Sequence, residues 1–209
     1  MTHFFQKKKG LITMTILLLF GLLTACGGDK QNIKAPEADS ASLKNATPSI
    51  DKLNGMIEQE PDNAQLYYER ALAYYEFGDL AMALVDFDKT IALEPEFASA
   101  YHDRGICRFE LTRFQEAIED FNRAIQLDPE YSEAYFNRSL VWDELAEPEK
   151  ALTDLDKAIE MNPEFGDAYY NRAVYRLNSD RDKSCADFKK AAELGIREAE
   201  LTYEQYCKP

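Results

Sequence analysis

Histidine is nearly absent from this chain: two occur in 209 residues, and only His102 lies beyond the first ten positions. The four cysteines form no Cys-x-x-Cys pair, so a zinc centre lacks its usual ligand spacing. There is no glycine-rich phosphate loop and no Gly-x-Ser-x-Gly elbow. These gaps leave no catalytic residue, no metal ligands and no cofactor site to nominate, and the expectation is a protein that is not an enzyme. Basic residues are also scarce, 24 Lys and Arg against 38 Asp and Glu, for a net charge of -14. Nucleic-acid affinity rests on neutralising phosphates, so such a partner is not expected. Long apolar runs are limited to one, Leu11 to Phe20, extended by Gly21-Leu22-Leu23. That run is short for a membrane span and suits the apolar core of a secretion signal.

Acidic residues are missing from one place: none precedes Cys26, whereas Lys7, Lys8 and Lys9 do. Residues 1–25 therefore read as a targeting segment, and it ends in Leu23-Thr24-Ala25-Cys26. This order of basic, apolar and small residues before a cysteine resembles a bacterial lipoprotein signal. The resemblance implies that Cys26 becomes the mature N-terminus and carries acyl chains such as palmitate. It also implies a bacterial cell-envelope location, anchored to the inner or outer membrane. Each buried CH₂ contributes roughly 0.8 kcal/mol, so several chains make a durable anchor. Residues 26–46 are too polar to fold and read as a tether, with a random-coil reach of about 25 Å.

The rest of the chain is periodic. Ala98–Tyr131 has the same plan as 64–97 before it and 132–165 after it, at a period of 34 residues, and a fourth copy starts at Gly166. Glu94-Pro95-Glu96, Asp128-Pro129-Glu130 and Asn162-Pro163-Glu164 each stand near the end of a unit, each followed by an aromatic. Proline stops a helix there. Ala83, Ala117 and Ala151 recur at one position, where a small side chain lets two helices approach. A fixed period of this length marks a stacked repeat protein.

With each unit numbered from one, the central copy has Tyr101 at four, Gly105 at eight, Ala117 at twenty, Phe121 at twenty-four, Ala124 at twenty-seven and Pro129 at thirty-two. This pattern resembles the tetratricopeptide repeat, with Arg108 standing where the family has an aromatic. The resemblance implies an all-α, right-handed superhelix of helix-turn-helix units. Residues 64–97, 98–131 and 132–165 would be units one to three. Residues 166–195 would be a fourth with a one-residue deletion near Asn178–Asp182, closed by a left-handed cap at Gly195. Residues 47–63 read as an N-terminal capping half-repeat, with Thr47 as helix cap ahead of Pro48. Residues 196–209 hold a C-terminal capping helix, with Leu201, Tyr203 and Tyr206 as candidate contacts; terminal units of a stack need such cover.

Arg70, Arg104, Arg138 and Arg172 recur at the seventh position, and Asp86, Asp120, Asp154 and Asp187 recur just before the second-helix aromatic position. In the repeat geometry these positions face each other, so the resemblance implies four structural pairs: Arg70–Asp86, Arg104–Asp120, Arg138–Asp154 and Arg172–Asp187. The arginine fork suits bidentate carboxylate contact. Cys107 sits among apolar neighbours and reads as a small core residue. Cys185 and Cys207 lie nearly equidistant from the Gly195-Ile196 turn. An antiparallel hairpin would bring them together as a disulfide in an oxidising compartment; two separate thiols are the alternative.

By the same resemblance the first helices line a concave groove for a partner. The exposed positions carried over include Tyr68, Leu72 and Tyr75, then His102, Ile106 and Phe109, then Phe136 and Leu140, then Tyr170 and Val174; Asn137 and Asn171 hold the sixth position, where Asn can bond a peptide backbone. The floor is aromatic and aliphatic, and the rim is acidic. Family members that clamp a peptide carboxylate use Lys at the fifth position, where this chain has Tyr68, His102, Phe136 and Tyr170. A basic or apolar protein segment fits better. The expected function is a lipid-anchored scaffold that binds a protein or peptide in assembly or support of a cell-envelope complex. The alternative is a lipoprotein with an enzymatic or solute-binding role.

Overall fold

The computed structural model describes residues 48–208, which form ten α-helices and no strand. The expected signal segment, the lipidated Cys26, the tether and the Thr47 cap all lie outside the described residues. Among those residues no helix is long and apolar enough to cross a membrane. A lone helix α1 (Ile50–Gln59) precedes four hairpins: α2 (Ala64–Phe77) with α3 (Leu80–Leu93), α4 (Ala98–Glu110) with α5 (Phe114–Leu127), α6 (Ser132–Glu144) with α7 (Pro148–Met161), and α8 (Gly166–Arg176) with α9 (Arg181–Glu193). A final helix, α10 (Arg197–Tyr206), closes the stack. The hairpins stack in chain order as an all-α superhelix of repeats.

The first three units end the same way. The Glu94 N–H, just past α3, bonds back to the Thr90 carbonyl before Pro95 stops the helix, and Phe97 N–H returns to the Glu94 carbonyl at 3.2 Å. Tyr131 and Phe165 repeat this at 3.2 and 3.0 Å. These three aromatics occupy the N-cap positions of α4, α6 and α8 and offer no capping side chain. Asn63, the equivalent residue before α2, caps normally, its Oδ1 accepting from the Gln65 N–H at 3.1 Å. The cap interaction at the later junctions is replaced by ring packing described below.

Within each of the first three hairpins a left-handed residue turns the chain: Gly78 at φ 82°, Thr112 at 59° and Ala146 at 56°. The following N–H reaches back along the first helix, as in Asp79 to Tyr74 at 2.9 Å, Arg113 to Arg108 at 2.8 Å and Glu147 to Trp142 at 2.9 Å. The fourth hairpin departs from this. Leu177 stays right-handed and the Arg172-to-Asp187 separation is 15 residues, against 16 in the other units. Gly195 takes φ 90° and the Ile196 N–H bonds to the Ala191 carbonyl at 3.0 Å.

The core runs along the seam between paired helices. Ala83, Ala117 and Ala151 on the second helices are fully buried, and Ala71, Gly105 and Ser139 on the first helices and Phe87, Phe121 and Leu155 are buried too. A Cβ on Gly105 would lie 2.8 Å from Phe121 Cε1, so that position admits only glycine without a shift. Cys107 packs with Ala71, Ala83 and Phe87.

Two expectations at the ends need correction. Helix α1 begins at Ile50 and is capped by Ser49, whose hydroxyl accepts from Lys52 N–H at 3.3 Å. Pro48 thus precedes the cap instead of opening the helix, because serine caps as well as threonine does and stands nearer the apolar run. Leu53 and Ile57 form the buried face of α1. In α10 the inward face is Ala199, Tyr203 and Cys207, spaced four residues apart. Leu201 and Tyr206 therefore point outward, at 61% and 45% exposure.

Candidate partner-binding face

The repeated arginines are built into the hairpins. Arg70 donates to both Asp86 oxygens at 2.7 and 2.8 Å, and Arg104 to both Asp120 oxygens at 3.0 and 2.6 Å. Arg138 meets Asp154 at 2.8 and 2.6 Å, and Arg172 meets Asp187 at 2.9 and 2.7 Å. The structure thus brings together all four expected pairs. Each guanidinium also does something sequence reasoning missed. Its third arm, Nη1, reaches the preceding unit: Arg70 to Asn54 at 2.7 Å, Arg104 to Asp88 at 2.6 Å, Arg138 to Asn122, and Arg172 to Asp156 at 2.7 Å. One arginine therefore ties three helices. The signal was available, since Asp or Asn recurs at that position in the first three units and in the capping helix.

Arg108, the departure from the aromatic pattern, joins the same cluster. Its Nη1 donates to Asp120 Oδ2 at 2.7 Å. Trp142 Nε1 and Arg176 Nη1, at the equivalent position, donate to Asp154 and Asp187 at 3.0 and 2.9 Å. The position thus serves as a donor to the buried carboxylate in three units. Burial raises the Asp120 carboxyl, and Arg104 and Arg108 oppose that rise.

The expected groove is only partly open. His102, Ile106, Phe109, Phe136 and Asn137 are buried, His102 to 4% exposure, and cannot serve as free partner-facing side chains. For His102 and Phe136 the reason is the aromatic that ends each of the first three units. Phe97 folds back on Tyr68, Tyr131 on His102 and Phe165 on Phe136, with ring centroids 4.7, 4.7 and 4.8 Å apart. Second-helix aromatics close the other side: Phe87 on Tyr68, Phe121 on His102 and Phe188 on Tyr170, at 5.9, 5.9 and 5.7 Å. The sequence shows an aromatic after Pro95-Glu96, Pro129-Glu130 and Pro163-Glu164 but does not reveal where it folds.

A polar chain runs beneath this face. Tyr68 Oη donates to Asp103 Oδ2 at 2.6 Å, and Asp103 Oδ1 lies 2.8 Å from His102 Nδ1. Asn137 Nδ2 lies 2.8 Å from His102 Nε2. The chain links α2, α4 and α6 and fixes their mutual rotation. Tyr75 Oη meets Glu110 at 2.5 Å, and Tyr175 meets Asp143. Burial first, and then the Asp103 carboxylate, push the Tyr68 phenol well above its usual range; burial does the same for Tyr75, Tyr131 and Tyr175. Asn171 turns back to the Asp167 carbonyl at 2.8 Å.

What remains open on the first-helix face is half-buried Tyr68, Leu72, Tyr75, Leu140, Tyr170, Asn171 and Val174. Around them stand Gln65, Glu69, Glu76, Glu133, Asp143 and Glu144. The arrangement is an apolar strip with a carboxylate rim.

At the last hairpin Cys185 and Cys207 form a disulfide, with Cα atoms 5.5 Å apart. Arg181 donates to the Tyr206 carbonyl beside it. Cys107 is a free, buried thiol, and burial pushes it up to about 12.

A tetratricopeptide repeat family model matches residues 98–131, and a second tetratricopeptide repeat model matches 64–97 and 132–165. No curated protein matches the sequence. Solved structures do resemble it. A crystal structure of MamA is 28% identical, covering 72% of this chain and 89% of its own, at a TM-score of 0.64. A thermophilic tetratricopeptide repeat protein of Thermus thermophilus is 19% identical, covering 75% and 88%, at 0.61. The pilF protein of Pseudomonas aeruginosa is 21% identical, covering 75% and 78%, at 0.66. The latter two likenesses are likenesses of fold.

Proposed function

Because this chain belongs to the tetratricopeptide repeat family, we propose that it is a lipid-anchored scaffold holding a protein segment on its first-helix face, in assembly or support of a cell-envelope complex. The repeat fold itself implies protein or peptide partners and a scaffolding role. The observation that carries the finer reading is the strip of Leu72, Leu140, Val174 and partly exposed tyrosines inside a rim of carboxylates. Apolar and aromatic side chains supply contact area at low entropic cost, and the rim selects a basic or apolar segment over an acidic one. The basic, apolar and small-residue order ahead of Cys26 supports the anchor and the envelope location.

Two substitutions test this. Cys26→Ser abolishes incorporation of an alkyne-tagged palmitate and releases the chain from the membrane fraction; a variant that stays membrane-bound refutes the lipid anchor. Glu69→Lys combined with Glu133→Lys reverses charge on the rim. The account expects weakened co-purification of the wild-type partner with an unchanged melting curve, and full retention refutes the charge selection.

A further inference from the structure

The edge of the stack where each hairpin turns carries a second row that the groove does not use. Phe77, Leu111 and Leu145 each precede the left-handed residue of their hairpin, so they occupy equivalent places in three successive units. All three are exposed, at 80%, 41% and 40%. Exposed apolar residues are ordinary when scattered, but here the same place is apolar and exposed in three successive units. The row lies at the C-terminal ends of the first helices, which are bridged by the Tyr68–Asp103 and Asn137–His102 contacts, and at the usual spacing of neighbouring helices successive members are roughly 8–10 Å apart. Seven residues of an α-helix rise about 10 Å. The row therefore matches a helix that presents one apolar side chain every seven residues.

Charge narrows the partner further. Glu149, just beyond the third turn, is exposed, and Glu76 and Glu144, which end the carboxylate rim of the first-helix face at this edge, stand next to Phe77 and Leu145. The basic groups of this edge are already paired, Arg113 with Glu116 and Lys150 with Glu147. We propose that the row Phe77, Leu111, Leu145 is a docking surface for a basic amphipathic helix of a partner protein, distinct from the apolar strip of the first-helix face. The apolar side chains seat the helix, and its lysines or arginines meet the flanking carboxylates.

The test uses the full chain and two fluorescein-labelled synthetic peptides. One has leucine at every seventh position with lysine flanks; the other has the same composition with the leucines respaced so that they share no face. Binding is read by anisotropy for the wild type and for Phe77→Ser/Leu111→Ser/Leu145→Ser, whose fold is checked by circular dichroism. The proposal expects the wild type to bind the first peptide at least about tenfold more tightly than the second, and the triple variant to lose that preference. Equal binding of the two peptides, equal binding by the triple variant, or no binding by the wild type overturns it. Sedimentation of the free protein covers self-association: a dimer abolished by the triple variant assigns the row to a second copy and also overturns it.

Discussion

Arg138→Ala removes the guanidinium from a carboxylate that has little else. Asp154 is buried and accepts two bonds from Arg138; its other side-chain donor is Trp142 Nε1 at 3.0 Å. Breaking a buried pair by removing one partner costs about 3–5 kcal/mol, because the remaining charge is stranded. Arg138 is itself 18% exposed, so water reaches part of the vacated space and the lower end, about 3 kcal/mol, is expected. The bond to Asn122 across the unit boundary is lost as well. The second unit provides an internal comparison. Arg104→Ala leaves Asp120 with a full positive charge, since Arg108 Nη1 remains 2.7 Å away. Its cost is expected at about 1–2 kcal/mol. At about 2–4 °C per kcal/mol for a domain of this size, Arg138→Ala lowers Tm by roughly 6–12 °C and Arg104→Ala by about one to two thirds of that. Arg138→Ala/Asp154→Ala removes the stranded charge and should cost at least about 2 kcal/mol less than the sum of the single losses. Thermal and urea melts of the single and double variants decide the matter. Equal losses for Arg138→Ala and Arg104→Ala, or additive losses in the double variant, refute the stranded-charge reasoning.

Three further outcomes follow from the same structure. Thr112 is β-branched at φ 59°, so Thr112→Gly relieves about 1–2 kcal/mol of strain against a chain-entropy cost of about 0.5–1 kcal/mol; a rise of roughly 2 °C in Tm is expected, and a fall contradicts it. Cys107 should resist iodoacetamide at pH 8 in the native protein and react on unfolding. Because the folded thiol holds its proton up to about 12 while the unfolded one ionises near 8.5, its contribution to stability is complete below about pH 8.5 and declines as pH rises toward 12, which urea melts of wild type and Cys107→Ala compare. Cys185→Ser opens a link spanning 22 residues and should cost about 3 kcal/mol, confined at first to α10; hydrogen exchange that rises in Arg197–Tyr206 before the earlier hairpins supports this, and a uniform rise does not.

The repeat register was legible because it rests on covalent order. Proline at the end of a unit, alanine at the crossing and aromatic residues on the seam recur at fixed offsets, and helices form where those offsets require. The Arg–Asp pairing was legible for the same reason. The third arm of each arginine was equally repetitive, in Asn54, Asp88, Asn122 and Asp156, but it crosses between units, where one repeat read alone has no partner to offer. Exposure was read less well. His102 and Phe136 belong by position to an open groove, yet Tyr131 and Phe165 cover them. Whether an aromatic after the turn folds inward or outward depends on the backbone path through that turn, and no offset encodes it. The rotation of α10 is a similar case: Ala199, Tyr203 and Cys207 set its inward face, and Leu201, apolar but two residues away from Ala199, is carried to the outside.

The central claim is that the first-helix face holds a protein segment. It is tested most directly by a photoreactive amino acid placed at Leu72, Leu140 or Val174, with controls at Lys89 and Lys157 on the second helices, irradiated in the native cell. The account predicts one common protein adduct from the three first-helix positions, identified by mass spectrometry, and none from the controls. Adducts that form only from Lys89 and Lys157 would contradict it.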